Sequence, residues 1–459
     1  MLRLFIELIA FIFLGYTLLG KGFAYLGIPP LYAAELVLLL GLLVALLNPS
    51  VLRRAFAWPV VLVWPFVFWS LLQTLPYLGE YGLNALRDAA FWGYSLFAFL
   101  IFGLVLKNHA VFFILIRYYR YFALLFPLLI IPAIVLQLLK VPLPSLPGST
   151  VPLVALKFGD TGVHLAGVVV FVLLGLVLSW RWAVLHAPLW VLSVTAVFGF
   201  TASANRGGTL SFVLAVMLAL ASLFPRINGR VVGLAIGGVL SLVVFALISL
   251  TVLSSTQLVG SRPVSVEQIA TNLLSIVLQT ENDAGNVNAN RRWRLMWWEK
   301  IVGYTVYGPY FWTGKGYGIN LATVDGFQVD KEQSLRSPHN SHMTVLARSG
   351  VPGLALWLLM LVGWAWVVLK ARWQAARNGD YLWSKLFVWL FCYWMAFLVN
   401  ASFDVFLEGP MGGVPFWLLM GLGFAAVVVY ANPASRPLLG RALGQGAYPT
   451  PSRQPYVLS

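Results

Sequence analysis

The chain has 459 residues, 60% of them hydrophobic and only 10% charged, with a formal net charge of +15. Soluble domains carry about 25% charged residues, so this composition excludes an ordinary soluble protein. The apolar runs are far longer than the roughly ten-residue alternating segments of a membrane barrel. They are therefore read as helices, which satisfy their own backbone where no water can.

In chain order the sequence predicts about a dozen membrane spans, at 3–20, 31–48, 58–77, 89–106, 118–139, 163–180, 183–201, 208–225, 231–253, 350–370, 383–403 and 413–432. The first run follows Arg3 closely and has no small-residue cleavage site after it, so it reads as a retained helix. With the N-terminus placed in the cytoplasm, most basic residues of the short loops fall on that side, among them Arg53, Arg54, Lys107, Lys370, Arg372 and Arg377. The short outside loops keep Lys21, Arg87, Lys140, Lys157 and Arg206. This asymmetry follows the positive-inside rule. The net charge therefore reports topology, and no nucleic-acid partner is expected.

The resulting division is 1–253 with the first nine spans, 254–338 as an outside loop domain, 339–432 with the last three spans, and 433–459 as a disordered cytoplasmic tail rich in Pro, Gly, Ala, Ser and Arg. Cys392, the single cysteine, sits in an apolar run and offers neither a disulfide framework nor a thiolate metal site.

The outside segment begins with apolar positions at helical spacing over 264–279, suited to lying on the membrane surface. A polar loop follows over 281–290. Arg291-Arg-Trp-Arg-Leu-Met-Trp-Trp-Glu-Lys300 then reads as a short helix with Arg294 and Trp298 on one face. Arginine pairs bidentately with phosphate oxygens, and tryptophan suits a membrane interface. Arg291 and Arg292 read first as solvated anchors. Gly314-Lys-Gly-Tyr-Gly318 reads as a flexible turn, and Ser337-Pro-His-Asn-Ser-His342 leads into the tenth span. Taken alone, His339 is as well explained by a surface or helix-capping role, and His342 by sharing its face.

Two further clusters stand near the outer ends of spans. Arg206 lies in Thr201-Ala-Ser-Ala-Asn-Arg-Gly-Gly208, where a charge is costly unless paired or wet. Lys157-Phe-Gly-Asp-Thr-Gly-Val-His164 places Asp160 and His164 four apart, as an acid/base couple or, in the preferred reading, a hydrogen-bonded helix start. Arg87, Asp88, Asp404 and Glu408 are candidate charge partners at the same surface.

These residues resemble the O-antigen ligase family, whose signature region is shared with O-antigen polymerases. The marks are Asn205-Arg206-Gly207, then Trp293-Arg294-Leu295 with Trp298 and the 314–318 glycines, then His339-Asn340 before Gly350 and Gly353. The resemblance implies an all-α membrane fold of GT-C-like type. It also implies metal-independent, inverting transfer of a glycan from an undecaprenyl-pyrophosphate donor to a hydroxyl of lipid A-core or of a growing polysaccharide. The site would face the periplasm from the inner membrane. The resemblance makes His339, Arg294 and Arg206 the catalytic candidates. Asn340, Arg291, Arg292, Trp298, Lys315 and Arg348 are the substrate-binding candidates. The family's usual serine before the membrane-boundary arginine is Asn205 here.

The chemistry also follows from the residues. Guanidinium groups can clamp a departing pyrophosphate, and a neutral histidine can accept a hydroxyl proton near pH 7. No Asp-x-Asp string or His/Cys cluster is placed for a metal, and no cofactor is expected. The partners are the lipid-linked donor, the acceptor and membrane lipids. The competing class is a transporter of envelope glycans, against which stands the lack of an inverted repeat or of paired broken helices. A purely structural scaffold would give no reason for the arginine–histidine arrangement.

Overall fold

The computed structural model describes residues 2–177, 180–224, 229–248 and 286–444. The protein is all-α; among the described residues one sheet pairs the two-residue strands Gly27–Ile28 and Leu31–Tyr32. The helices used below are α1 (Leu2–Leu19), α2 (Ala33–Leu46), α3 (Trp64–Thr74), α4 (Leu83–Gly93), α5 (Ser95–Lys107), α6 (Ala110–Leu138), α7 (Phe158–Leu173), α8 (Trp180–Ala204), α9 (Arg206–Leu223), α10 (Gly229–Ile248), α11 (Asn286–Thr305), α12 (Ser341–Arg377), α13 (Tyr381–Ala401), α14 (Pro410–Ala431) and α15 (Leu438–Ala442).

Among the described residues, eight helices are long and apolar enough to cross a membrane, and nine if α4 and α5, bent by 42°, form one span. The expected spans 31–48 and 163–180 are the shorter apolar helices α2 and α7. The expected span 231–253 begins as α10 and runs out of the described residues, where the expected surface helix 264–279 also lies. The polytopic reading holds.

In lipid, helices gain little from hiding apolar surface, so close packing and internal hydrogen bonds must join them. Both are present. A Cβ on Gly208 would stand 2.8 Å from the Gly159 Cα, and one on Gly421 would stand 2.6 Å from the Ala98 carbonyl oxygen. These glycines bring α9 against α7 and α14 against α5. Buried indoles tie helices by donating to backbone carbonyls: Trp364 to Met420, Trp389 to Gly167 and Trp417 to Phe91, each at 3.0 Å. α9 is packed on both α7 and α13, and α13 also meets α12 and α14. An apolar cavity of about 510 Å³ opens between α1 and α6, floored by α13 and α14, apart from the polar cluster described below.

Three local expectations change. Residues 433–444, expected to begin a disordered tail, are folded: α15 buries Leu439 and Ala442 against α6, and Arg436 pairs with Asp380 at 3.3 Å. Residues 286–290, expected in a loop, open α11, where an asparagine-rich sequence is carried by the tryptophan-rich helix that follows. The Gly314–Gly318 turn is buried rather than flexible. Gly314, Gly316 and Gly318 have φ of +62°, +79° and +102°, which only glycine adopts freely. A Cβ at Gly314 would meet the Arg348 backbone at 2.4 Å, and one at Gly316 the Tyr77 ring at 2.0 Å.

α11 does not join the main bundle core. Trp297, Ile301, Leu321, Leu346 and Ala347 form a separate small core between α11 and the first turns of α12. Trp297 stacks on Phe327 at 5.2 Å and donates to Asp325 at 2.8 Å. Within α12, Gly350 breaks the helical angles at φ 67°, ψ −172°. The first turns of α12 thus form, with α11 and residues 321–327, a cap with its own small core, and the remainder of α12 belongs to the bundle.

Candidate active site

The cap delivers a short segment, 336–340, to the rim of the bundle, and each residue is fixed by a different element. Arg336 pairs with Asp88 of α4 at 2.9 Å. Ser337 donates to Glu408, between α13 and α14, at 2.6 Å. The Pro338 carbonyl accepts from Trp298 of α11 at 2.8 Å. Asn340 caps α12, its side-chain oxygen accepting from the His342 and Met343 amides at 2.9 and 3.1 Å. His339 lies between these ties at φ +53°, a conformation uncommon for a non-glycine residue and typical of functional positions.

The His339 ring stands edge-on to Trp293 at 6.0 Å, and its Nδ1 is 3.5 Å from Asp404 Oδ1. The other Asp404 oxygen is 3.9 Å from Lys157 Nζ. Lys157 also donates to the Val405 carbonyl at 3.2 Å, and the Val405 amide donates to Asp404 at 2.7 Å. Burial alone would push Asp404 up. The adjacent His339 and the Lys157 charge outweigh it, and the carboxyl is held down at about 2. Burial would lower Lys157, but Asp404, with Asp160 and Glu408, holds it above the ordinary lysine value. Burial raises Glu408, against the hydrogen bond from Ser337.

Two arginines flank the same turn. Arg294 Nη1 donates to the Phe403 carbonyl at 2.8 Å. Burial lowers its pKa and Asp404 acts in the opposite direction. Half-buried Arg206 opens α9 behind its N-cap Asn205, which accepts from the Gly208 amide at 2.8 Å. The next residue, Gly207, abuts Phe403: a Cβ there would lie 3.1 Å from Phe403 Cβ. His339 and Arg294 therefore meet on one turn, Phe403-Asp404, and the residue that follows Arg206 packs against it.

The other candidates divide. Trp298 supports the segment before His339. Arg291 and Arg292 are exposed on α11. Lys315 is buried against Asp325 and lies 4.1 Å over the Tyr304 ring. Arg348 is buried too, paired with Asp88 at 3.0 Å and donating to the Gly316 and Ile319 carbonyls. Both hold the cap together, and Asn340 is occupied as a cap. His342 accepts from Trp357 at 3.0 Å. Asp160 and His164 part company: His164 meets the Tyr393 hydroxyl at 2.7 Å inside the bundle, while Asp160 lies by Lys157 and Asn400. The sequence placed Asp404 at the right surface, but nothing in it assigned that carboxylate to His339. The available signal was a short interhelical turn carrying two of the chain's 15 acidic residues.

A proton on Nδ1 directed at Asp404 leaves Nε2 of His339 as the basic nitrogen. A histidine–carboxylate pair beside arginines, at the rim of an all-α polytopic membrane protein, is suited to proton abstraction next to a bound anion. Residues 191–358 match the family model described as O-antigen ligase. The matched stretch contains Arg206, Arg294 and His339; Lys157 and Asp404 lie outside it. No curated protein matches the chain.

Proposed function

We propose that the protein transfers a glycan from a polyprenyl-pyrophosphate donor to an acceptor hydroxyl, with inversion and without a metal, at the periplasmic face of the inner membrane. The observation that carries this reading is the His339–Asp404 pair beside the Phe403 turn that Arg294 grips and Gly207 abuts. The acceptor oxygen attacks the anomeric carbon as the bond to the pyrophosphate oxygen breaks. The acceptor proton passes to His339 Nε2, and Asp404 stabilises the imidazolium. Arg294 and Arg206 bind the departing pyrophosphate, whose charge grows as the bond breaks.

The test is complementation of a strain lacking the protein. His339→Ala and Arg294→Ala should each lower surface glycan by 10²-fold or more, within the roughly 10²–10⁴ that a general base contributes, with the protein still in the membrane fraction. Unchanged glycan in both variants would refute the assignment. The acceptor is read from the deletion strain. Intact lipid-linked polymer with nothing transferred marks a ligase, and single repeats attached without long chains mark a polymerase.

A further inference from the structure

The glycan-transfer reading uses His339, Asp404 and two arginines, but not the cation on the far side of the carboxylate. Lys157 comes from the segment preceding α7, remote in sequence from the rest of the cluster. That segment is anchored: the Lys21 amide donates to the Ala155 carbonyl at 2.8 Å, and Gln137 exchanges two hydrogen bonds with the Leu156 backbone at 2.7 and 3.1 Å. Lys157 is thereby fixed with Nζ 3.9 Å from one Asp404 oxygen, while His339 Nδ1 lies 3.5 Å from the other. One carboxylate stands between a permanent cation and an imidazole.

This arrangement has an electrostatic consequence. A carboxylate beside a histidine favours the imidazolium, and a nearby cation opposes it. An unshared carboxylate would favour the imidazolium more strongly than one divided with a cation. We propose that Lys157 is a positioning residue that shares the Asp404 charge and thereby lessens the hold of that carboxylate on a proton at His339. The charged groups acting on the cluster from the surrounding elements are Asp160 from α7, Glu408 from the α13–α14 turn and Arg294 from α11. The two carboxylates adjoin Lys157, and Asp404 is the one that also reaches the histidine. The importance of His339 for catalysis rests on the proposed function; the charge sharing does not.

The test is an imidazole titration by NMR on the full chain in lipid nanodiscs, with histidine-labelled protein. The chain has five histidines, and His339→Ala identifies the signal. Lys157→Met should raise the His339 midpoint by about half to one pH unit, as expected for losing a partly solvated charge nearby, and Lys157→Arg should restore it. A lysine that merely tied the loop to the Val405 carbonyl would leave the midpoint unchanged in a folded Lys157→Met protein, and that result overturns the proposal. Should Lys157→Met fail to fold, Lys157→Gln, which keeps a donor for Val405, is read in the same way. Glycan transfer measured across external pH gives a separate outcome: in Lys157→Met its acid limb moves up with the midpoint. If His339→Ala keeps transfer while the midpoint still shifts, the catalytic reading fails and the charge sharing stands.

Discussion

Asp404 receives an imidazole, an ammonium and a backbone amide within one turn. Its carboxyl is held near 2, below the ordinary 3.8. A depressed folded-state value stabilises the fold above the unfolded pKa, and that contribution is lost as pH falls through the folded one. Thermal unfolding in detergent should therefore lose the Asp404 contribution between about pH 4 and pH 2, and Asp404→Asn should flatten that limb. The same substitution removes the anion that faces the imidazole, so glycan transfer should fall about 10²-fold or more. An Asp404→Asn protein with full transfer would show that the pair has no part in the chemistry. His339, Arg294 and Arg206 could be proposed from the sequence because local motifs mark them. The Asp404 pairing could not, because it joins residues 65 apart in number (404 less 339) through a fold that no local spacing encodes.

At the scale of elements, the segment carrying His339 depends on the glycine turn and on the tryptophan that support it from outside. Gly316→Ala would place a methyl 2.0 Å from the Tyr77 ring at a φ of +79°. Overpacking and backbone strain each cost about 1–3 kcal/mol, so a fall of several degrees in the unfolding temperature is expected. A temperature within one degree of wild type would mean that the turn is less constrained than its contacts imply. Trp298→Phe removes the hydrogen bond to the Pro338 carbonyl while keeping an aromatic ring. Transfer should drop more than stability does, by comparison of glycan yield with the unfolding temperature. The sequence displayed these glycines but suggested a flexible loop. Their partners, Tyr77 and the Arg348 backbone, come from elsewhere in the chain, so the constraint appears only once the cap is folded onto the bundle.

Over the whole molecule, hydrophobic periodicity and length marked the membrane helices well, since each run must satisfy its own backbone. Composition misled at the C-terminal end. Residues 433–444 are poor in large apolar groups, yet Leu439, Ala442 and Leu443 are buried and Trp383 donates to the Arg436 carbonyl at 3.0 Å. A few well-placed contacts suffice there because α6 and α13 supply the opposing surface. Truncation after Asn432 should therefore lower the unfolding temperature measurably, whereas an unchanged temperature would show that the α15 contacts add nothing.

The position of α9 between α7 and α13 bears on how such a protein can be exchanged between relatives. The matched stretch, 191–358, begins within α8 and ends within α12, so both helices that sandwich α9 are left behind if it is moved alone. Such a graft would carry the arginines and the histidine to a new host without the lysine and aspartate that face them. It would also set Gly208 against a foreign α7, where any side chain larger than Gly159 obstructs the crossing. Recombination that preserves activity must therefore take the flanking helices as well, and the heritable unit is longer than the recognisable one.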